Sequence, residues 1–133
     1  MMINTELLEI FDDLTESYNK LKLLCAGSIN DHKVEIILQR YAYIIDNLIK
    51  LSKILLKKHN IECRYPKECL YAAEKFGLIN NATIFIDMLD DRYRLTQINE
   101  KKITDKLYEK ISVKHIITLG IFLEKIERDY IKL

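Results

Sequence analysis

Leu7, Phe11, Leu14, Tyr18, Leu21 and Cys25 recur at alternating steps of four and three, and the same rhythm resumes at Val34, Leu38, Tyr41, Ile45, Leu48, Leu51 and Leu55. That spacing lays each set along one stripe of an α-helix and does not fit the two-residue period of a strand. A helix is therefore expected from about Thr5 to Ala26 and a second to roughly Lys57. Gly27-Ser28-Ile29-Asn30 separates them, Gly by its tolerance of positive φ and Asn30 or Asp31 by capping the second helix.

The rest of the chain reads the same way. With one Pro and three Gly in 133 residues, of which 49% are hydrophobic, long helices are favoured over a turn-rich β architecture, so the fold class is all-α. Pro66 suits the first turn of a short helix, where its missing N–H has no intrahelical partner. That helix runs to Phe76 and stops at Gly77. Asn80 or Asn81 can start a fourth, through Arg94, with Ile84, Phe85, Met88 and Leu89 inward. A fifth spans about Lys101 to Ile131. Its stripe Ile103, Leu107, Ile111 gives way to Ile116, Leu119, Leu123, Ile126 and Tyr130, and this change of phase between Ser112 and His115 predicts a bend or a new packing partner. The whole, residues 1–133, is expected to form a single up-and-down bundle of four or five helices with the short pair at one end. Ile36 and Ile49, lying off the main stripe of the second helix, offer a surface for dimerisation.

Composition excludes several function classes. A net charge of +1 from 21 basic and 20 acidic residues leaves no broad basic face to neutralise phosphates, as a general nucleic-acid binder requires. Cys25, Cys63 and Cys69 form no CxxC pair and have no His at ligand spacing, which points to reduced thiols and no metal site. No apolar run approaches the eighteen or so residues of a membrane span, and the first residues lack a basic-then-apolar leader, so a cytoplasmic location is expected. There is no Gly-rich phosphate loop, no paired catalytic carboxylates at motif spacing and no Ser-His-Asp order, so no cofactor and no complete catalytic set is expected. His32, His59 and His115 lie far apart and read as surface or cap residues.

Polar residues with a pattern are few. Gln39, Tyr43, Asp46 and Lys50 are separated by four, three and four residues and line a helix face nearly opposite the apolar stripe. They could border a groove, although Asp46 and Lys50 also make an ordinary i,i+4 pair on an exposed helix. Arg92, near a helix end among Asp87, Asp90 and Asp91, carries the planar fork of donors that suits a phosphate. Arg94 is placed to pair with Asp90. Tyr71 and Tyr108 read as edges of the core.

Gln39-Arg40-Tyr41-Ala42-Tyr43-Ile44-Ile45-Asp46-Asn47-Leu48-Ile49-Lys50, then Pro66-Lys67-Glu68, Lys75-Phe76-Gly77-Leu78-Ile79 and Met88-Leu89-Asp90-Asp91-Arg92 together resemble the nucleotidyltransferase substrate-binding proteins of the HEPN superfamily, from about Val34 to Ile111. The resemblance implies a non-catalytic helical subunit that partners a separate small nucleotidyltransferase and helps to bind its substrate or a nucleotide, as a homodimer or within a heterotetramer. On that footing the candidate binding residues are Arg92, Gln97, Arg40, Asp46, Gln39 and Lys50. Other HEPN proteins are metal-independent ribonuclease toxins of toxin–antitoxin pairs, whose motif has Asn after the Arg, then His and Tyr. Here Tyr93, Gln97 and Asn99 stand at those three positions. An amide has no accessible pKa and cannot relay a proton, so binding without cleavage is expected. The alternatives are a degenerate ribonuclease and a purely structural oligomerisation partner.

Overall fold

A computed structural model describes residues 4–96 and 101–132, all helical or in short connections. Six α-helices follow one another: α1 (Thr5–Ala26), α2 (Asp31–Lys58), α3 (Pro66–Phe76), α4 (Ala82–Arg94), α5 (Lys101–Lys110) and α6 (Ile116–Ile126). A π turn at Ile111–His115 joins α5 to α6 and a second, Glu127–Ile131, extends α6. The last two helices are thus one rod, and the all-α bundle has the five helical pieces expected.

The ends form where the sequence supplies partners for the unsatisfied backbone groups. Asn4 caps α1 by accepting from Glu6 and Leu7, Asn30 caps α2 through Lys33, and Asn81 caps α4 through Thr83. Gly77 closes α3 at φ 95°, a left-handed conformation that lets its N–H and that of Leu78 reach back to Ala73.

Helix α2 is the centre of the bundle, packed by α1, α3, α4 and α5. All seven residues of its expected stripe are buried, and so are Ile37, Ile44 and Leu56. The same crowding buries Ile49, only 6% exposed, which removes it from the surface suggested for dimerisation. Ile36 stays on the outside. Ile103, expected inward, is also exposed. A different apolar strip faces outward along the last rod: Val113, Ile117 and Ile121, each at least 60% exposed.

The phase change expected near Ser112 is the π turn. Buried Leu107, Ile111, His115 and Leu119 are spaced by three consecutive steps of four, twelve residues in all. A regular α-helix of 3.6 residues per turn would carry the last about a third of a turn away from the first. The wider turn absorbs one residue and keeps both halves on the core, α5 against α2 and α6 against α1. Deleting Val113 should therefore straighten the rod and be tolerated, whereas deleting the equally exposed Ile121 should swing Phe122, Leu123 and Ile126 off the core. Thermal melts of the two deletions, with Ile121 the far more damaging, check this.

Cys63 and Cys69 are joined in a disulfide, not the free thiols expected. The connection before Pro66 folds back onto the first turn of α3, a juxtaposition that cysteine spacing alone did not reveal. Cys25 is free and half-buried. Among the described residues no helix is long and apolar enough to cross a membrane.

Candidate functional site

A cavity of about 720 Å³ forms an open groove between the first half of α2, the end of α4 and the start of α5. Its floor is apolar, from Val34, Leu38, Ala42 and Leu95, and its rim is polar, from Gln39, Arg92, Thr96 and Thr104 together with Asp31, Glu35, Lys101 and Asp105. The α2 side follows from helical spacing: residues 31, 35, 38, 39 and 42 share one face. Arg92 is fixed at the α4 wall. Its Nε and Nη2 donate to the two carboxylate oxygens of Asp46, both at 3.0 Å, a bidentate fork. That bond strengthens Arg92's hold on its proton against the opposing effect of partial burial.

The charges at the rim do not cancel. Lys101 pairs with Asp31 at 3.4 Å and Arg92 with Asp46, while Glu35 and Asp105 have no ion pair among the described residues. The groove therefore presents hydroxyls, an amide and two uncompensated carboxylates over an apolar floor. It suits a neutral or amine-bearing polar molecule, or the nucleoside end of a nucleotide, better than a bare polyphosphate.

The six candidate residues are divided by the structure. Gln39 and Arg92 line the groove and Asp46 holds Arg92. Arg40, one residue on from Gln39, faces the other way into a crevice against α1. Lys50 is exposed and borders neither cavity; Asp46, its expected partner, is committed to Arg92. Gln97 lies outside the described residues. The expected polar face of α2 is real, since Gln39, Tyr43, Asp46 and Lys50 are all exposed, but it does not form one site.

The histidines divide too. His32 is exposed and His59 caps α2 with its ring 4.5 Å from that of Phe76. His115 is the correction: the π turn drives it into the core, 0% exposed, where its Nε2 meets Asp91 Oδ2 at 2.7 Å and its ring stacks on Tyr41. Asp91 is equally buried and also accepts from Lys110 at 2.9 Å and from Arg94, at 3.2 Å; Arg94 thus bonds Asp91, not Asp90. Lys110 reaches Asp87 as well, at 2.9 Å. Burial by itself would raise the Asp91 pKa, yet the hydrogen bonds from His115 and Lys110 and their charge hold it below the ordinary value. Asp87, Asp91 and His115 stand close enough to share a metal ion, but the Lys110 ammonium already bridges the two carboxylates, and a metal would have to displace it. No local signal marked the bond between Asp91 and His115, because the two are 24 residues apart. The imidazole contacts Asp91, the residue before Arg92, yet it is buried and does not border the groove.

The helical bundle thus carries a lateral groove of mixed polarity. Residues 9–128 match the family described as nucleotidyltransferase substrate binding protein like, and the chain belongs to that family. No curated protein matches it.

Proposed function

We propose that this protein is a non-catalytic subunit that holds the substrate, or a nucleotide, for a separate small nucleotidyltransferase, with the groove beside Arg92 as the binding site. The observation that carries this reading is the groove itself: about 720 Å³, within the range of small-molecule sites, walled by an arginine locked in place and lined by no described histidine. Asp46 orients Arg92, Gln39 and the threonine hydroxyls supply hydrogen bonds, and the apolar floor takes a base or ring. With Glu35 and Asp105 at the rim, the phosphates of a nucleotide would lie toward the transferase and its metal ions. A homodimer or a heterotetramer, in the cytoplasm and as the remnant of a toxin–antitoxin module of HEPN type, is the setting proposed. The apolar strip Val113, Ile117 and Ile121 supports association, since exposed apolar side chains in a row gain from being covered.

Affinity purification of the tagged protein from its native host tests the partnership. A small nucleotidyltransferase with paired metal-binding Asp residues should co-elute, and should be lost when Ala42→Trp fills the groove only if substrate bridges the two chains. Repeated purification without any transferase would overturn the proposal. The ribonuclease alternative makes the opposite claim in a simple assay: incubated with RNA, the protein should leave it intact, whereas cleavage abolished by Arg92→Ala would make it an enzyme.

A further inference from the structure

The second half of α2 and the connection after it carry a charge that the total conceals. Residues 50–65 hold Lys50, Lys53, Lys57, Lys58 and Arg64 against one carboxylate, Glu62, a net +4 in a chain of net +1, so the remainder carries −3. Lys50, Lys53 and Lys57, at steps of three and four, fall on one face of the helix, and Lys58 flanks them. Lys53 Nζ donates to the Arg64 carbonyl at 3.4 Å, which lays the connection against that face and sets Arg64 and Tyr65 beside it. None of the five cations forms an ion pair among the described residues, whether with Glu62 and Glu68 nearby in the chain or with Glu6 and Glu9 on the neighbouring α1.

Helix electrostatics accounts for part of this, since Lys57 and Lys58 lie in the last turn of α2, where a cation is favoured. It does not account for Lys50, Lys53 or Arg64, nor for Tyr65, whose large ring is 68% exposed. The disulfide between Cys63 and Cys69 closes a short loop over Arg64 and Tyr65, and Cys69, fully buried, anchors that loop to the core. Pro66, inside it, has its φ fixed by its ring. Arg64 and Tyr65 are thus held outward on a stiff strap, so a partner does not have to order the backbone that presents them.

We propose that this surface binds a single-stranded nucleic acid, with Lys50, Lys53, Lys57 and Arg64 on its phosphates and the Tyr65 ring as the platform on which a base stacks. Phosphates alternating with flat bases match cations set beside an exposed aromatic face. An acidic peptide would satisfy the cations alone and leave the ring without a plane to meet. A duplex is a poorer fit, because its bases are stacked on one another and only an unpaired strand offers them to a side chain. The groove beside Arg92 uses the first half of α2; this surface uses the second, and it does not rest on the function proposed for the groove.

Fluorescence anisotropy of a labelled oligouridine titrated with the whole protein, repeated over a range of salt concentrations, tests the proposal. With about four phosphates neutralised, the logarithm of the association constant should fall against that of the salt concentration with a slope of about −3. Replacing two of the cations together, Lys53→Gln with Lys57→Gln, should flatten that slope by about 1.4. Tyr65→Ala should weaken binding at least about fivefold and leave the slope unchanged, which separates stacking from charge. Lys22→Gln, on α1 and outside the surface, should change neither. No binding at low salt, a loss in Lys22→Gln equal to that in the double variant, or an affinity indifferent to Tyr65→Ala would overturn the site, and so would displacement of the strand by polyglutamate as readily as by unlabelled RNA. None of these results touches the groove beside Arg92, whose reporters are Ala42, Leu95 and Thr104.

Discussion

Asp91→Ala is expected to lower stability by about 3–5 kcal/mol, the cost of breaking a buried ion pair by removing one partner. Both oxygens of Asp91 are occupied, by Arg94 on one side and by Lys110 and His115 on the other. Alanine would leave the buried imidazole without its acceptor and the ammonium with Asp87 alone, in the joint between α4 and the π turn. Because a domain of this size has only about 5–15 kcal/mol to lose, the thermal midpoint should fall by roughly 10–20 °C. Asp91→Asn keeps the shape and one acceptor and should lose less. The same carboxylate fixes a pH dependence. Its pKa is held below the ordinary value, so its contribution is complete above the unfolded-state pKa of about 4 and is lost as pH falls from there toward the folded value. Urea midpoints should decline below about pH 4, and the decline should be shallower in Asp91→Asn.

Tyr41→Ala should be nearly as damaging, at about 3–5 kcal/mol, the range for a buried aromatic replaced by alanine. Tyr41 is fully buried in the middle of α2; its hydroxyl donates to the Met88 carbonyl at 2.7 Å, and its ring lies 5.5 Å from that of His115, nearly parallel. Burial, then the nearby Asp91 and Asp87, hold the phenol pKa far above its ordinary value, so the hydroxyl remains a donor at any working pH. Tyr41→Phe removes only that hydrogen bond and should cost about 1 kcal/mol. The gap between the two variants, read from denaturant midpoints, separates the ring's packing from its polar tip. Loss of the ring also removes the lid over His115, so Tyr41→Ala and Asp91→Ala should be less than additive.

The helices were legible because their signals are local. Pro66, Gly77 and the Asn residues at 30 and 81 sit within a turn of the ends they cap, and the π turn announced itself as a broken period. Partnership was not legible. Arg92 finds Asp46, 46 residues away, where the helical pattern offered only Lys50, and His115 finds Asp91 because the π turn rotates it inward. Periodicity gives one stripe per helix, so it could not foresee that α2, wrapped by four neighbours, would bury Ile49 on another face. The same limit split the candidate site: Gln39 and Arg40 are adjacent in sequence, but a helix turns about 100° per residue, enough to send them to opposite sides of α2's exposed face. The disulfide between Cys63 and Cys69 depended on the path of a connection without any period.

Binding in the groove beside Arg92 is tested most directly by a two-dimensional amide NMR titration of the protein with each of the four ribonucleoside triphosphates and magnesium. At least one should shift Ala42, Leu95 and Thr104 together, on three different faces of the groove, with the shifts lost in Ala42→Trp. Spectra in which none of the four moves those residues, at concentrations that saturate ordinary nucleotide sites, would contradict the groove as the place where substrate is held.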